Sequence, residues 1–262
     1  MRDIIKAMNY QTRRDNFTIY ILLFGIANVA MGFTDAPRGV MELTGGGYAA
    51  SEILRSAASM TPLVIMAFCA RICGWDCNDK TINYELLSGH TKAEVFFGRA
   101  IPALLWSLAA STALIILPVL FFWVMNGWGE QASLWGIIAR LALMYLPFIR
   151  AACESILLTF LLKNCYLAMI AGYFLFMIPF MVSMFIEDFS KAEPLSWQFT
   201  VTNLVQIFYL NFKMGFIDGK DVAVYDTALA PELLWGTVAS SVLISAAAIF
   251  LGLFAFKKSD MR

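Results

Sequence analysis

The chain has 262 residues, of which 60% are hydrophobic and 15% are charged, and its mean hydropathy is +0.70. Soluble domains carry about 25% charged residues, so this composition excludes an ordinary soluble domain and indicates a membrane protein. The 19 basic and 19 acidic residues cancel, which argues against a nucleic-acid partner.

The first segment, residues 1–16, is predicted to form a short interfacial helix. Arg2, Lys6, Arg13 and Arg14 are interspersed with apolar residues there. This pattern is typical of a basic amphipathic helix that lies on an anionic membrane surface.

Six apolar stretches follow that are long enough to cross a hydrocarbon core of roughly 30 Å. They are residues 17–33, 53–75, 100–125, 134–162, 165–186 and 233–256. The first two are joined by residues 35–52, whose three consecutive glycines predict a flexible outer loop. The sequence therefore predicts one all-α membrane domain over residues 1–262.

The longest connection, residues 187–232, contains an apolar stretch at 195–216 that is interrupted by polar residues. It is too polar for a confident full span. We expect a re-entrant or surface-lying pair of helices on the outer face. If this stretch did span the membrane, the C-terminus would lie outside.

The distribution of basic residues predicts the orientation. In the six-span layout twelve Lys and Arg residues fall on one side of the membrane and four on the other. Cytoplasmic loops carry an excess of Lys and Arg, so both termini are predicted to be cytosolic.

A polar segment, residues 76–99, separates the second and third spans and lies on the cytosolic side in this layout. Residues 81–88 are predicted to form a two-turn amphipathic helix. Its apolar arc comprises Ile82, Leu86 and Leu87, and its polar arc comprises Thr81, Glu85 and Ser88. Gly89 can end this helix in the left-handed conformation, and a capping box from Thr91 to Glu94 can start the next. Because so short a helix is unstable alone, it requires a packing partner, either lipid headgroups or a protein groove.

This segment resembles the first cytosolic loop of ABC-2 type transporter permeases. In that family an acidic residue and a Gly-Thr pair precede a short helix, and Leu-Ser, a basic residue and a new span follow. The matching residues are Asp76, Thr81, Leu87, Ser88, Lys92 and Arg99. Asp76 stands where glutamate is usual, and Lys80 takes the place of the glycine. The basic tail at residues 256–262 also resembles that of the family.

The resemblance implies that the helix at residues 81–88 is a coupling helix, seated in a groove of a separate ATP-binding subunit. It implies a multi-pass protein of the bacterial cytoplasmic membrane, in which two permeases, identical or different, work with two ATP-binding subunits. ATP and Mg²⁺ would bind in those subunits and no cofactor would bind in this chain. The expected activity is export of hydrophobic or amphipathic cargo, with peptides favoured, by alternating access.

Few residues are candidates for chemistry. The chain has no Walker A motif and a single histidine, His90, so we expect neither ATP hydrolysis nor metal-dependent catalysis by this chain. Cys69, Cys73 and Cys77 share a helical stripe, and buried cysteines of this kind usually act as small apolar residues.

Arg150 and Glu154 are one helical turn apart at about mid-depth of the fourth span and are predicted to pair. The pair has three possible roles: it lines a transport pathway, forms a hinge at a subunit interface, or locks helix packing. Two other function classes also stay open for the chain, a motor-independent channel or carrier and a membrane scaffold or sensor.

Overall fold

The computed structural model describes residues 1–34, 46–78, 82–175, 207, 210–217 and 220–258. Eight helices longer than one residue and one two-stranded antiparallel sheet lie in these parts of the chain. The helices are α1 (Arg2–Arg14), α2 (Asn16–Thr34), α3 (Gly46–Asn78), α4 (Ile82–Leu87), α5 (Lys92–Asn126), α6 (Leu134–Leu162), α7 (Cys165–Leu175) and α8 (Pro231–Lys258). The strands are β1 (Phe212–Ile217) and β2 (Lys220–Tyr225).

The long helices form a bundle in which α3 packs on α5 and α6, and α6 packs on α8. The Cys69 thiol lies 3.8 Å from the Ala103 carbonyl oxygen, and the Tyr145 and Thr112 hydroxyls are 2.6 Å apart. Near the opposite ends of these helices, Asp76 of α3 contacts Arg99 of α5, and Phe160 of α6 contacts Phe96 of α5. The order of the contacts along each helix shows that α3 and α6 both run antiparallel to α5. The bundle therefore has an α4 end, with α1, α4 and the start of α5, and a hairpin end, with β1 and β2.

Three helices are long and apolar enough to cross a membrane. Their most apolar windows have mean hydropathies of 2.3 in α5, 1.6 in α6 and 2.3 in α8, and each helix exceeds the roughly 20 residues that a span requires. These helices coincide with three of the six predicted spans. The predicted first two spans lie in α2 and α3. The fifth begins with α7, and its remainder, 176–186, lies outside the described residues.

The predicted outer loop at residues 35–52 differs from the structure at its end, because α3 begins at Gly46. The N–H groups of Gly46 and Gly47 donate to the carbonyls of Gly127 and Trp128 at 2.7 and 2.8 Å. A Cβ atom on Gly46 would come within 2.8 Å of the Trp123 side chain. Because Gly46 has no side chain, the start of α3 can pack closely against the end of α5.

The predicted outer helical pair is wrong at residues 212–217 and 220–225, which form two strands. Phe212 pairs with Tyr225 and Ile217 with Lys220 in an antiparallel hairpin. Asp218 and Gly219 stand between the paired ends, and Asp-Gly between two apolar runs is a strong hairpin signal. The apolar content of 195–216 had favoured a helix, and its first residues, 195–206, lie outside the described residues.

Arg140 fastens the chain that follows the hairpin to α6. Its guanidinium is buried and donates to the carbonyl oxygens of Ile207 at 2.9 Å, Thr227 at 3.2 Å and Ala228 at 2.6 Å. A buried guanidinium with three carbonyl acceptors is well compensated for loss of water. These hydrogen bonds from the Arg140 side chain to backbone carbonyls hold the hairpin end against α6.

Candidate partner-binding site at the α4 end

The predicted sequence of helix, break and helix in the polar segment is confirmed. Gly89 has a φ of 95° and follows α4. The Glu94 N–H donates to the Thr91 hydroxyl at 3.2 Å, and the Thr91 N–H donates to the Glu94 carboxylate at 3.0 Å. This capping box satisfies two N–H groups at the start of α5. Thr81, predicted as the first residue of the short helix, lies outside the described residues.

A buried arginine holds α4 in place. Arg99 on α5 is 1% exposed, and its Nη2 and Nε donate to the two carboxylate oxygens of Glu85 at 2.6 and 3.1 Å. This two-pronged arrangement is the strongest geometry for an arginine and a carboxylate. Glu85 was predicted on the polar arc of the helix, and in the structure Arg99 draws its side chain toward α5.

Arg99 also contacts the end of α3. Its Nη1 lies 2.8 Å from an Asp76 carboxylate oxygen, in an ion pair that lacks the alignment of a full hydrogen bond. One guanidinium therefore joins α3, α4 and α5, and we call Asp76, Glu85 and Arg99 the arginine clamp. Breaking such a buried network by removing one partner typically costs about 3–5 kcal/mol.

The short helix presents an outer face that differs from the predicted apolar arc. Ile82 is buried and Leu86 is partly buried, but Leu87 is 80% exposed. Tyr84, which the sequence reasoning did not single out, is 72% exposed. Residues three apart lie on one helical face, and this spacing could have identified the Tyr84 and Leu87 pair.

The last residue of the predicted site, Ser88, is exposed. Its hydroxyl donates to the Glu85 carbonyl at 2.7 Å, which occupies a carbonyl at the C-terminal end of α4. Ser88 thus closes the helix and leaves Tyr84 and Leu87 as its large outward side chains.

An aromatic cluster beneath the clamp joins three long helices. The Phe160 ring centroid lies 4.7 Å from that of Phe96 and 4.8 Å from that of Phe256. All three side chains are at most 2% exposed. The Lys92 ammonium also donates to the Lys257 carbonyl at 2.9 Å. These contacts fix the start of α5 against the ends of α6 and α8.

The predicted pair on α6 forms, with Arg150 Nε 2.9 Å from a Glu154 carboxylate oxygen. Both side chains are mostly buried, at 12% and 9% exposure. The pair neutralises charge within an apolar helix, so neither charge stands alone among apolar side chains. Whether the pair also lines a pathway stays a prediction.

Replacing both members of this pair, in an Arg150→Gln/Glu154→Gln variant, is expected to preserve folding but alter transport if the pair lines a pathway. Glutamine keeps polar contacts while removing both charges together, so no orphaned charge remains. Thermal unfolding in mild detergent and a transport assay in vesicles measure the two effects. An unfolded double variant would instead assign the pair a structural role.

The cysteine and histidine residues form no metal site among the described residues, where no group of three His, Cys, Asp or Glu side chains is placed to hold an ion. Cys69 and Cys73 are buried, and no disulfide joins them. His90 Nδ1 lies 3.9 Å from a Glu94 carboxylate oxygen at the helix break.

No protein-family model matches the chain, and no match was found among curated proteins. The resemblance to ABC-2 permeases therefore stays a prediction that depends on residues 76–99 and on the basic tail at residues 256–262. The described structure contributes three apolar helices of membrane-spanning length and a short helix clamped at one end of their bundle.

Proposed function

We propose that the chain is the transmembrane permease subunit of an ATP-driven ABC exporter, with α4 as the helix that binds the ATP-binding subunit. The observation that carries this proposal is the combination of an outward face on α4, Tyr84 and Leu87, with an inward grip by Arg99. A helix that only lay on lipid headgroups would present such a face but would not need the grip by Arg99. A helix that transmits force needs both.

The clamp suggests how movement would pass into the bundle. α4 is attached through Glu85 to Arg99 on α5 and, through Arg99, to Asp76 on α3. A displacement of α4 by a motor subunit would pull on the ends of two long helices together. Closure of the ATP-binding subunits would thereby tilt α3 and α5 and alternate the access of the cargo pathway.

The remaining parts of the proposal follow from the layout of the chain. We place the protein in the bacterial cytoplasmic membrane with six spans and both termini in the cytosol, since basic residues cluster at the α4 end. Two permeases, identical or different, would pair with two ATP-binding subunits that hold ATP and Mg²⁺. Hydrophobic or amphipathic cargo, peptides in particular, would enter from the bilayer or its inner leaflet.

A Tyr84→Ala/Leu87→Ala variant tests the outward face directly. It should keep the fold, because both side chains are exposed, and it should lose most of the ATPase activity that co-purifies with the wild-type chain. Two exposed contact residues can supply a large share of the binding energy at a protein interface. Co-purified ATPase activity per mole of tagged chain is the measurement.

The matched control is Leu161→Ala/Leu162→Ala, which removes two exposed apolar side chains from the last turn of α6 at the same end. It should retain the ATPase. Equal retention by both double variants would contradict the assignment of α4. A chain that transports without any ATPase would favour the motor-independent channel or carrier.

A further inference from the structure

The outer face of α1 is a charged surface that the proposed function does not use. Ile4, Met8 and Thr12 are buried, and α1 packs on α5. The exposed side chains on the opposite face, at 100° per residue, include Arg2, Lys6, Arg13 and Arg14. We call these four residues the basic face of α1. The apolar face predicted to lie on lipid is thus covered by protein.

Contacts with α5 fix the level of α1 along the bundle. The N-terminal ammonium lies 3.7 Å from the Glu94 carboxylate. A Cβ atom on Gly98 would come within 2.9 Å of the Ile4 side chain, and the Trp106 indole N–H donates to Asn9 at 2.9 Å. α1 therefore runs beside the first half of α5, with Asn9 level with Trp106.

The level of Trp106 matches one boundary of a hydrocarbon core. Trp106 and Trp123 are separated along α5 by about 26 Å at a rise of 1.5 Å per residue, and no charged residue lies between them. Tryptophan side chains concentrate at both membrane interfaces, about 30 Å apart. Asn9 consequently lies close to this boundary, and the long side chains of Arg13 and Arg14 can extend along the helix to the lipid headgroups.

Arg71 on α3 holds the junction of α1 and α2 in place. Arg71 Nε donates to the Asp15 carboxylate at 2.7 Å, and its guanidinium carbon lies 3.4 Å from the centre of the Trp75 ring. Burial alone would raise the pKa of Asp15, but hydrogen bonds from Arg71 and the Phe17 N–H lower it below its ordinary value. Asp15 stays ionised, so α1 is firmly mounted with its basic face outward.

Phe160 contacts Phe96, and Tyr145 contacts Thr112. Because Arg150 lies between these two contacts on α6, it is near the level of Trp106, nearer the α4 end than the predicted mid-depth. That pair is already neutralised internally. In contrast, the four cations of the basic face make no ion pair with any described residue, and Arg14 is only stacked over the Tyr10 ring at 4.6 Å.

We propose that the basic face of α1 binds the headgroups of anionic phospholipids in the leaflet at the α4 end. Cationic side chains on a helix at headgroup level attract anionic lipids. The covered apolar side prevents α1 from sinking into the bilayer, so recognition depends on charge. This binding does not require an ATP-binding subunit and can be tested without one.

The test uses the full chain reconstituted in bilayers of phosphatidylcholine and phosphatidylglycerol, with spin-labelled forms of each lipid as probes. The fraction of each probe immobilised by the protein gives the selectivity. The wild type should select phosphatidylglycerol over phosphatidylcholine several-fold at low salt, with a clear decrease at high salt. An Arg13→Gln/Arg14→Gln variant should lose most of this selectivity.

The control is Lys257→Gln/Lys258→Gln, which removes two exposed cations from the end of α8 at the same end of the bundle. It should keep most of the selectivity, and circular dichroism should show equal helix content in all variants. Undiminished selectivity in the Arg13 and Arg14 variant, or equal losses in both variants, would overturn the proposal.

Discussion

Replacing Arg99 by alanine is expected to destabilise the protein by about 3–5 kcal/mol, because it leaves the carboxylates of Asp76 and Glu85 without their shared cation. Both carboxylates are mostly buried, with side-chain exposures of 17% and 20%. Thermal or denaturant unfolding of the purified full chain in mild detergent measures the loss. Lysine at this position should rescue only part of it, since an ammonium cannot make the two-pronged contact with Glu85.

A double-mutant cycle between Arg99→Ala and Glu85→Ala separates the clamp from general packing. The two changes should couple by about 1 kcal/mol or more, because the groups are in direct contact. Lys258→Ala, which removes an exposed cation at the same end, should change stability by no more than about 0.5 kcal/mol. Additive effects of the Arg99 and Glu85 changes would contradict the clamp.

The Arg99→Ala variant should also lose co-purifying ATPase activity even though Tyr84 and Leu87 remain. Their side chains lie on α4, which Arg99 holds through Glu85. Normal ATPase recovery from a correctly folded Arg99→Ala protein would show that the clamp is not needed to present α4.

Phe160→Ala is the second change with a large expected effect, about 3–5 kcal/mol. The Phe160 ring lies between those of Phe96 and Phe256, so truncation leaves a cavity where α5, α6 and α8 meet. Aromatic pairs contribute about 0.5–1.5 kcal/mol each beyond their burial. Phe160→Leu, which fills most of the space, should cost clearly less when unfolding is measured in the same detergent.

Phe254→Ala provides the matched control on α8, because this side chain is 57% exposed. Its effect should stay within about 0.5 kcal/mol. If Phe160→Ala and Phe254→Ala were equally mild, the cluster would not be what joins the helices at the α4 end.

Local signals predicted the parts of the structure that depend on local chemistry. Gly89 and the Thr91 to Glu94 box correctly marked the break between α4 and α5. The spacing of Arg150 and Glu154 correctly predicted their pairing. Each of these features is decided by residues within about one helical turn of each other.

The arginine clamp could not be predicted in the same way. Asp76, Glu85 and Arg99 belong to three different helices, and only the packing of α3 on α5 brings them together. A helix of six residues also defines its faces poorly, which is why Leu87 was assigned to the same arc as Ile82. Tertiary contacts decide which side of such a helix faces inward.

The hairpin at β1 and β2 shows a different cause of error. Asp218 and Gly219 gave a local turn signal, but the long apolar stretch before them favoured a helical interpretation. Arg140 lies within the fourth predicted span because its sequence neighbours are apolar. In the structure it binds three backbone carbonyls at the hairpin end. Its partners lie 67 to 88 residues away in sequence, beyond the reach of pattern analysis.

The most direct test of the proposed function is a gentle-detergent pull-down of the tagged full chain from its native membranes, with Mg²⁺-dependent ATPase assayed on the eluate. We predict that an ATP-binding subunit and its ATPase co-purify with the wild type and are lost with Leu86→Pro, which breaks α4. Recovery of the folded chain alone, with no ATPase in either sample, would contradict the account of α4 as the contact with a motor subunit.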